Sequence, residues 1–364
     1  MEVKRRTAKS LISKLGSVSE QARIAALCEL RLLTKTDPEI RPVIADEGAI
    51  PYIADTLYFS EALVQENAAA TLLNLSISCR DALMSTPGVL DALSHALSYH
   101  TLHHPAAVQA AAATVYSLVV DENFRSMVGS KRDILYALVD IIRNPQSPNR
   151  SVKDALKALF GISLHPMNRA TMVELGAVEV LFGLVVKAGR VGLVEDATAV
   201  IAQLASAQES LVTFRRVSGV RVLVDLIDPG TGSSLRIKEN AVSGLLNLVQ
   251  FGGEVVAKVI REVGLGLIFD GLGEVAQTGS SKGRKRAETL MKILENGMIV
   301  KESGLRSRNE SDNPCSDSYS SSHLNSGHSA AWVMAVSLVT EWNRFVKRVV
   351  CFMMLALVRS QKLL

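Results

Sequence analysis

Apolar and polar positions recur along this chain with a long period, and within each period they follow helical spacing. In residues 66–75 the side chains of Ala68, Leu72 and Leu75 fall on one helix face, with Ala69 and Leu73 beside it. Residues 239–248 repeat the order Glu-Asn-Ala-x-x-x-Leu-Leu-Asn-Leu without a gap. The pattern predicts a helix with one buried stripe in each copy.

The same pattern returns more loosely in other parts of the chain. The equivalent positions are Ala22, Asn67, Ala110, Asp154, Asp196, Asn240 and Lys285. Their successive offsets are 45, 43, 44, 42, 44 and 45 residues. One unit cannot cover its own apolar stripe, so the units are predicted to stack. We therefore predict an all-α fold, a right-handed α-solenoid with a concave and a convex side.

A glycine followed by apolar residues precedes most copies by about 20 residues. These glycines are Gly48, Gly88, Gly176, Gly219 and Gly264, and the copy near Arg132 has none. Glycine adopts the left-handed conformation without steric penalty, so each glycine is predicted to end one short helix and start the next. Each unit is then a short helix, a tight turn, a second helix and a longer third helix.

Composition and charge narrow the classes of function. Apolar residues make up 48% and aromatic residues 5% of the 364, which favours packed helices with small residues at close contacts. The formal net charge of +4 does not demand a nucleic acid or an anionic membrane as partner. Asp154, Glu195, Asp196 and Glu239 interrupt any basic stripe along the third helices, which disfavours nucleic-acid binding.

The cysteines and the N-terminus favour an intracellular protein, in the cytoplasm, the nucleus or both. The cysteines are far apart and fit neither a disulfide framework nor a zinc site: Cys28, Cys79, Cys315 and Cys351. The first residues lack the apolar stretch of a secretory signal.

No motif points to catalysis. The chain has no phosphate-binding loop, no His-Glu-x-x-His and no Gly-x-Ser-x-Gly. His100, His103 and His104 have a spacing that could chelate a metal if helical, but they lie in a predicted loop beside Pro105 without a nearby cysteine or carboxylate. We expect no enzyme, no cofactor, no metal and no small-molecule substrate.

The period, the turns at Gly48-Ala49-Ile50-Pro51 and Gly176-Ala177-Val178, and the helices 66–75 and 239–248 resemble armadillo repeats. The resemblance covers roughly residues 10–297, about six to seven units. The basic segment 282–287 resembles the last repeat of plant U-box/armadillo ubiquitin ligases. About 20 residues precede the first repeat and none resemble a U-box, so we do not expect ligase activity from this chain alone. In importin-α-type armadillo proteins a tryptophan lies a turn away from the groove asparagine, whereas Trp332 and Trp342 lie outside the repeats here, so the resemblance does not imply classical nuclear-signal binding.

The resemblance implies a binding site along the concave groove. Asn67 and Asn240 resemble the groove asparagines that hold the backbone of an extended peptide, because an amide can donate and accept. The alternative is that they brace the neighbouring loop. Other positions that we expect to be exposed on these turns are Gln65, Gln109, Lys153, Glu195 and Lys238, and Asp154, Asp196 and Lys285 occupy the asparagine position in other copies. The alternation of sign is either a charge code or a solvated face.

The repeat pattern stops after Gly297. We predict a repeat domain over 1–297, a disordered Ser-rich linker over 298–330, and an amphipathic helix over 331–364. That helix could lie on a membrane surface, dock on the repeats, or be the product of an altered transcript.

Two hypotheses of function remain. The first is a non-catalytic adaptor whose groove holds an extended peptide or a helix of a partner protein. The second is the substrate-recognition part of a ubiquitin-ligase system, with the ligase module absent or supplied in trans.

Overall fold

The computed structural model of the protein describes residues 2–98, 104–187 and 189–309. Within that part of the chain the structure is helical, without β-strands. The helices are α1 (Glu2–Leu15), α2 (Glu20–Thr36), α3 (Ile40–Asp46), α4 (Ala49–Asp55), α5 (Ala62–Ser78), α6 (Arg80–Ser85), α7 (Val89–Ser98), α8 (Pro105–Val119), α9 (Glu122–Ser130), α10 (Arg132–Arg143), α11 (Asn149–Ser163), α12 (Asn168–Glu174), α13 (Ala177–Lys187), α14 (Val191–Leu204), α15 (Ser210–Arg216), α16 (Gly219–Ile227), α17 (Leu235–Thr278) and α18 (Ser281–Asn309). Short 3-10 turns lie at Thr56–Tyr58 and Pro229–Thr231. Residues 1–305 form one compact unit.

From α3 onward the helices recur in threes. The first and second helices of each unit are short, and the third helices α5, α8, α11 and α14 are longer. Helix α17 holds three members of this series, because its backbone leaves the helical conformation at Gly253 and Gly264. Residues 235–252 are thus a third helix, 254–263 a first helix and 265–278 a second helix. The predicted all-α solenoid is confirmed.

Left-handed turn residues separate the first and second helices, as predicted for Gly48, Gly88 and Gly176, whose φ values are 81°, 82° and 80°. The prediction is wrong for Gly219. Ser218 takes the left-handed conformation instead, with φ 54°. A Cβ on Gly219 would lie 2.9 Å from a Phe182 ring atom, so this glycine serves close packing.

The third helices carry the core. Ala68, Ala69, Leu72 and Leu75 of α5 are fully buried and Leu73 is partly buried, as the spacing predicts. Helix α5 packs between α2 and α8, and the same side-by-side packing continues through α11, α14 and α17. Each buried leucine side chain stabilises the fold by roughly 1.5–3 kcal/mol. The third helices of successive repeats therefore pack side by side and form one face of the repeat domain.

A buried or half-buried arginine near the start of several first helices donates to the end of a third helix, and Arg41 and Arg169 each reach two consecutive third helices. The Arg169 guanidinium donates from Nε to the Ser163 carbonyl at 2.8 Å and from Nη1 to Ser206 Oγ at 2.7 Å. Ser163 ends α11, and Ser206 follows the end of α14. The equivalent arginines are Arg41, Arg80 and Arg125, whose Nε atoms donate to the carbonyls of Thr34, Ser117 and Val119. The arginine supplies donors that helix-end carbonyls otherwise lack.

Helix α15 lacks this arginine. Arg169 lies seven residues before the left-handed Gly176, and Leu211 lies seven residues before the left-handed Ser218. Leucine therefore occupies the arginine position, and it packs against the core without a donor to offer.

Helix α18 continues to Asn309, beyond the predicted domain boundary at Gly297. Residues 298–309 are therefore helical, and the predicted boundaries of the repeat domain and the linker stay predictions. The rest of the predicted linker and the predicted helix over 331–364 lie outside the described residues.

Candidate functional site

A pocket lies on the face formed by the third helices α8, α11, α14 and α17, and we name it the third-helix pocket. Its volume is about 300 Å³. Its lining residues are Tyr116, Lys153, Leu156, Lys157, Phe160, Gly192, Glu195, Asp196, Ala199 and Arg236. The pocket thus combines two aromatic rings, three basic groups and two carboxylates.

The charged groups of the pocket are only loosely paired. Arg236 approaches the carboxylates of Glu195 and Asp196, each at 3.8 Å. Glu195 also accepts a hydrogen bond from Ser234 Oγ at 2.7 Å. The Lys157 Nζ lies 5.7 Å from the centre of the Tyr116 ring, within cation–π range. Long pairs of this kind can be exchanged for contacts with a partner at small cost.

Asp196 is the more buried of the two carboxylates of this pocket. Burial raises its pKa above the usual 3.8, and the positive charges of Arg236, Lys153 and Lys157 oppose that rise. Its Oδ2 atom is buried and has no hydrogen-bond partner among the described residues. A buried acceptor without a donor is costly, which agrees in direction with the raised pKa of Asp196.

The structure brings together half of the residues predicted as site residues. Lys153, Glu195 and Asp196 line the third-helix pocket. Gln109 and Asp154 lie on the helices beside it, where Gln109 Nε2 donates to Asp154 Oδ2 at 2.8 Å. The polar residues of neighbouring repeats therefore contact one another across the helix boundary.

Asn67 and Asn240 use their amides within the fold. Asn67 is 3% exposed, and its Oδ1 accepts from Arg31 Nη1 at 2.8 Å. Asn240 Nδ2 donates to the Glu195 carbonyl and to Thr198 Oγ1, each at 3.1 Å. Both asparagines contact the preceding third helix. Each therefore stabilises a neighbouring helix, whereas the alternative prediction was that it braces a neighbouring loop. A role of either residue in partner binding stays a prediction.

The expected exposure of Gln65 and Lys238 is wrong. Gln65 is 1% exposed, and its Nε2 donates to the Leu57 carbonyl at 2.8 Å. Lys238 is buried with its Nζ 2.6 Å from Glu274. Lys285 is exposed on α18 and does not line the third-helix pocket. These three residues lie apart from the pocket.

Sequence reasoning missed Tyr116, Phe160 and Arg236. Tyr116 lies six residues after Ala110, and Phe160 lies six residues after Asp154. A signal was therefore present: an aromatic residue at the same repeat position in two adjacent copies of a chain with few aromatics.

The described residues contain neither a metal-ligand cluster nor a membrane-spanning helix. There is no group of three or more His, Cys, Asp or Glu side chains that could hold a metal ion. No helix is long and apolar enough to cross a bilayer. His100, His103 and the segment 331–364 lie outside the described residues.

The plant U-box protein ARM repeat region is the family whose model matches, over residues 8–311. U-box domain-containing protein 18 of Arabidopsis thaliana is 27% identical over 289 residues, which are 79% of this chain and 41% of that protein. U-box domain-containing protein 17 of the same plant is 31% identical over 299 residues, 81% of this chain and 39% of that protein. The chain thus spans about two-fifths of the length of these relatives.

Solved structures of engineered proteins share the fold. One has a TM-score of 0.67 and 21% sequence identity, and the match covers 79% of this chain and 68% of the engineered chain. Another has a TM-score of 0.56 and 18% sequence identity, and the match covers 67% of this chain and 98% of the engineered chain. At this identity the likeness concerns the fold alone.

Proposed function

The chain belongs to the plant U-box protein ARM repeat family, and from that premise we propose that it is a non-catalytic scaffold that holds a partner protein along its third-helix face. The observation that carries this proposal is the third-helix pocket, which places opposite charges and two aromatic rings on one accessible surface. Such mixed chemistry suits a peptide better than a small apolar molecule.

The pocket offers each kind of contact that a peptide needs. Glu195 and Asp196 would accept from a basic side chain or from backbone N–H groups. Lys153 would donate to a carbonyl or a carboxylate, since it is exposed at the start of α11. Tyr116 and Phe160 would pack on the apolar part of the same segment. Affinity would then come from many small contacts along stacked repeats.

A second function is favoured by the relatives, which are named as U-box domain-containing proteins. In that proposal the third-helix face selects substrates for a ubiquitin-ligase system. The two proposals use the same surface and differ in what the captured protein is.

We also propose an intracellular location, cytoplasmic, nuclear or both. Cys28 and Cys79 are free thiols, which supports a reducing compartment.

The experiment compares capture of proteins from cell extract by the whole chain and by two charge-reversed variants. Lys153→Glu changes the third-helix pocket. Lys14→Glu makes the same charge change at an exposed lysine on α1, which lines neither the third-helix pocket nor any other described pocket. We expect Lys153→Glu to lose a partner that Lys14→Glu retains, with the affinity of the purified partner reduced on the order of tenfold.

The identity of the captured protein separates the two functions. A lost partner that is ubiquitinated more slowly in extract lacking this chain supports the ligase-linked role. A lost partner whose ubiquitination is unchanged supports the plain adaptor. Equal capture by both variants would contradict binding at this pocket.

A further inference from the structure

An apolar groove lies between α15, α16 and the 254–263 part of α17, and we name it the outer groove. Its volume is about 440 Å³, within the roughly 300–1,000 Å³ of protein ligand pockets. Its lining residues are Leu211, Phe214, Arg215, Ser218, Val220, Arg221, Leu248, Gly252, Val255, Val256, Val259 and Val263. It shares no lining residue with the third-helix pocket.

The floor of the outer groove is part of the core, but its upper wall is open. Phe214 and Leu248 are each 1% exposed. Val255 and Val259 are 60% and 40% exposed, and the neighbouring Phe251 is 50% exposed. Single exposed apolar residues are ordinary, whereas a contiguous set around a concavity marks a surface that is covered by something else.

The loss of the arginine brace accounts for the apolar wall. In α12 the Arg169 side chain spans from the end of α11 to the region after α14. Leu211 stands at that position in α15 and lines the outer groove. An arginine there would place a charged group in the groove, and leucine leaves it apolar.

Two cationic groups lie at the rim of this apolar surface. Arg215 and Arg221 are exposed lining residues, and across the described ranges neither pairs with a carboxylate. The adjacent Arg216, by contrast, pairs with Glu179. A guanidinium presents a fork of donors that fits a carboxylate with two hydrogen bonds. The rim therefore complements an acidic ligand.

We propose that the outer groove is a docking site for a peptide segment of a partner protein that combines apolar side chains with carboxylates. The apolar side chains bury Val255 and Val259, and the carboxylates pair with Arg215 and Arg221. This site is independent of the proposed function of the third-helix pocket.

The charge of the rim also argues against the chain's own C-terminal segment as the occupant. Residues 331–364 are apolar, but they carry one acidic residue, Glu341. Their basic residues are Arg344, Lys347, Arg348, Arg359 and Lys362. Like charges across a contact disfavour it, so a separate acidic partner fits better.

The test uses the full chain and two fluorescein-labelled peptides of about 15 residues, with leucines at i, i+3, i+4 and i+7 as for a helix in a groove. One peptide carries flanking glutamates and the other carries lysines in their place. Anisotropy titrations compare wild type with Val255→Gln/Val259→Gln, with Arg215→Glu/Arg221→Glu, and with Val212→Gln. Val212 is 78% exposed on α15 and does not line the groove, so it is the matched control.

We expect the glutamate peptide to bind wild type and Val212→Gln equally, and to bind the two groove variants on the order of tenfold more weakly. The lysine peptide should prefer Arg215→Glu/Arg221→Glu over wild type. Circular dichroism melts establish that each variant is folded.

Three outcomes would overturn the proposal. They are equal binding of both peptides to wild type, equal weakening by Val212→Gln, and tighter binding of the glutamate peptide after removal of residues 331–364. The last outcome would mean that the chain's own segment covers the groove. Lys153→Glu should leave this binding unchanged, so failure here is distinguishable from failure of the proposed function.

Discussion

The repeats from α3 to α14 and the repeats from α15 to α18 share a period and a helix order, but their third helices are tied together differently. In the first region an arginine such as Arg169 donates to the end of one third helix and reaches the next. In the second region Leu211 holds that position and the outer groove opens beside it. One repeat position can therefore link helices in one unit and leave a surface open for binding in another.

The largest effect on stability is expected when the arginine of α12 is replaced by the leucine that α15 has at the equivalent position. Arg169→Leu removes hydrogen bonds to Ser163 and Ser206 and leaves a buried carbonyl without its donor. We expect a loss of about 3 kcal/mol in the free energy of unfolding, measured by urea denaturation. Arg215→Leu is the control and should change stability by less than about 0.5 kcal/mol, because Arg215 is exposed. Equal losses in the two variants would contradict a special role for the brace.

The asparagine contacts are common to both regions, so they should have similar effects in each. Asn67→Ala and Asn240→Ala should each lower the free energy of unfolding by about 1 kcal/mol, since each removes contacts to the preceding third helix. Partner affinity measured on the same variants separates two roles. Loss of stability with unchanged affinity means bracing alone. Loss of affinity without loss of stability would mean that both residues contact the partner.

Asp196 should make stability depend on pH in the direction set by burial. Its pKa is raised in the folded state, so the ionised carboxylate destabilises the fold above that pKa. The cost is relieved as the pH falls through the folded pKa toward 3.8. Asp196→Asn should therefore raise the free energy of unfolding near neutral pH, with a gain that shrinks as the pH falls toward 3.8. A gain that grows on acidification would contradict this sign.

The smallest effect on stability is expected when the leucine of α15 is replaced by the arginine that α12 has at the equivalent position. Leu211→Arg places a long side chain at a half-buried position with solvent close by. We expect a stability change within about 0.5 kcal/mol, measured by urea denaturation beside Arg169→Leu. A loss as large as that of Arg169→Leu would mean that Leu211 is a core residue and not a groove wall.

The fold was predictable because repeat length, turn glycines and apolar stripes are local patterns. The buried face of α5 follows from helical spacing alone, and Ala68, Leu72 and Leu75 are buried as predicted. Gly219 was misinterpreted because a glycine required by close packing against Phe182 has the same sequence signature as a glycine required by a turn.

The site was only partly predictable because its contacts run between repeats. Lys153, Glu195 and Asp196 were found from their repeat position, and they meet in the third-helix pocket. Burial of Lys238 depends on Glu274 in the next repeat, whereas Gln65 is buried beside the Leu57 carbonyl of its own repeat. The spacing of one repeat does not specify such pairs.

Hydrogen–deuterium exchange of the whole chain, with and without a captured partner, tests the claim that the third-helix face holds the partner. If the third-helix face holds the partner, protection should increase in 149–163 and 191–204, the helices that carry Lys153 and Asp196. Residues 210–227 and 254–263 should then be unchanged by that partner. Protection confined to those last two segments, with none on α11 or α14, would contradict the claim.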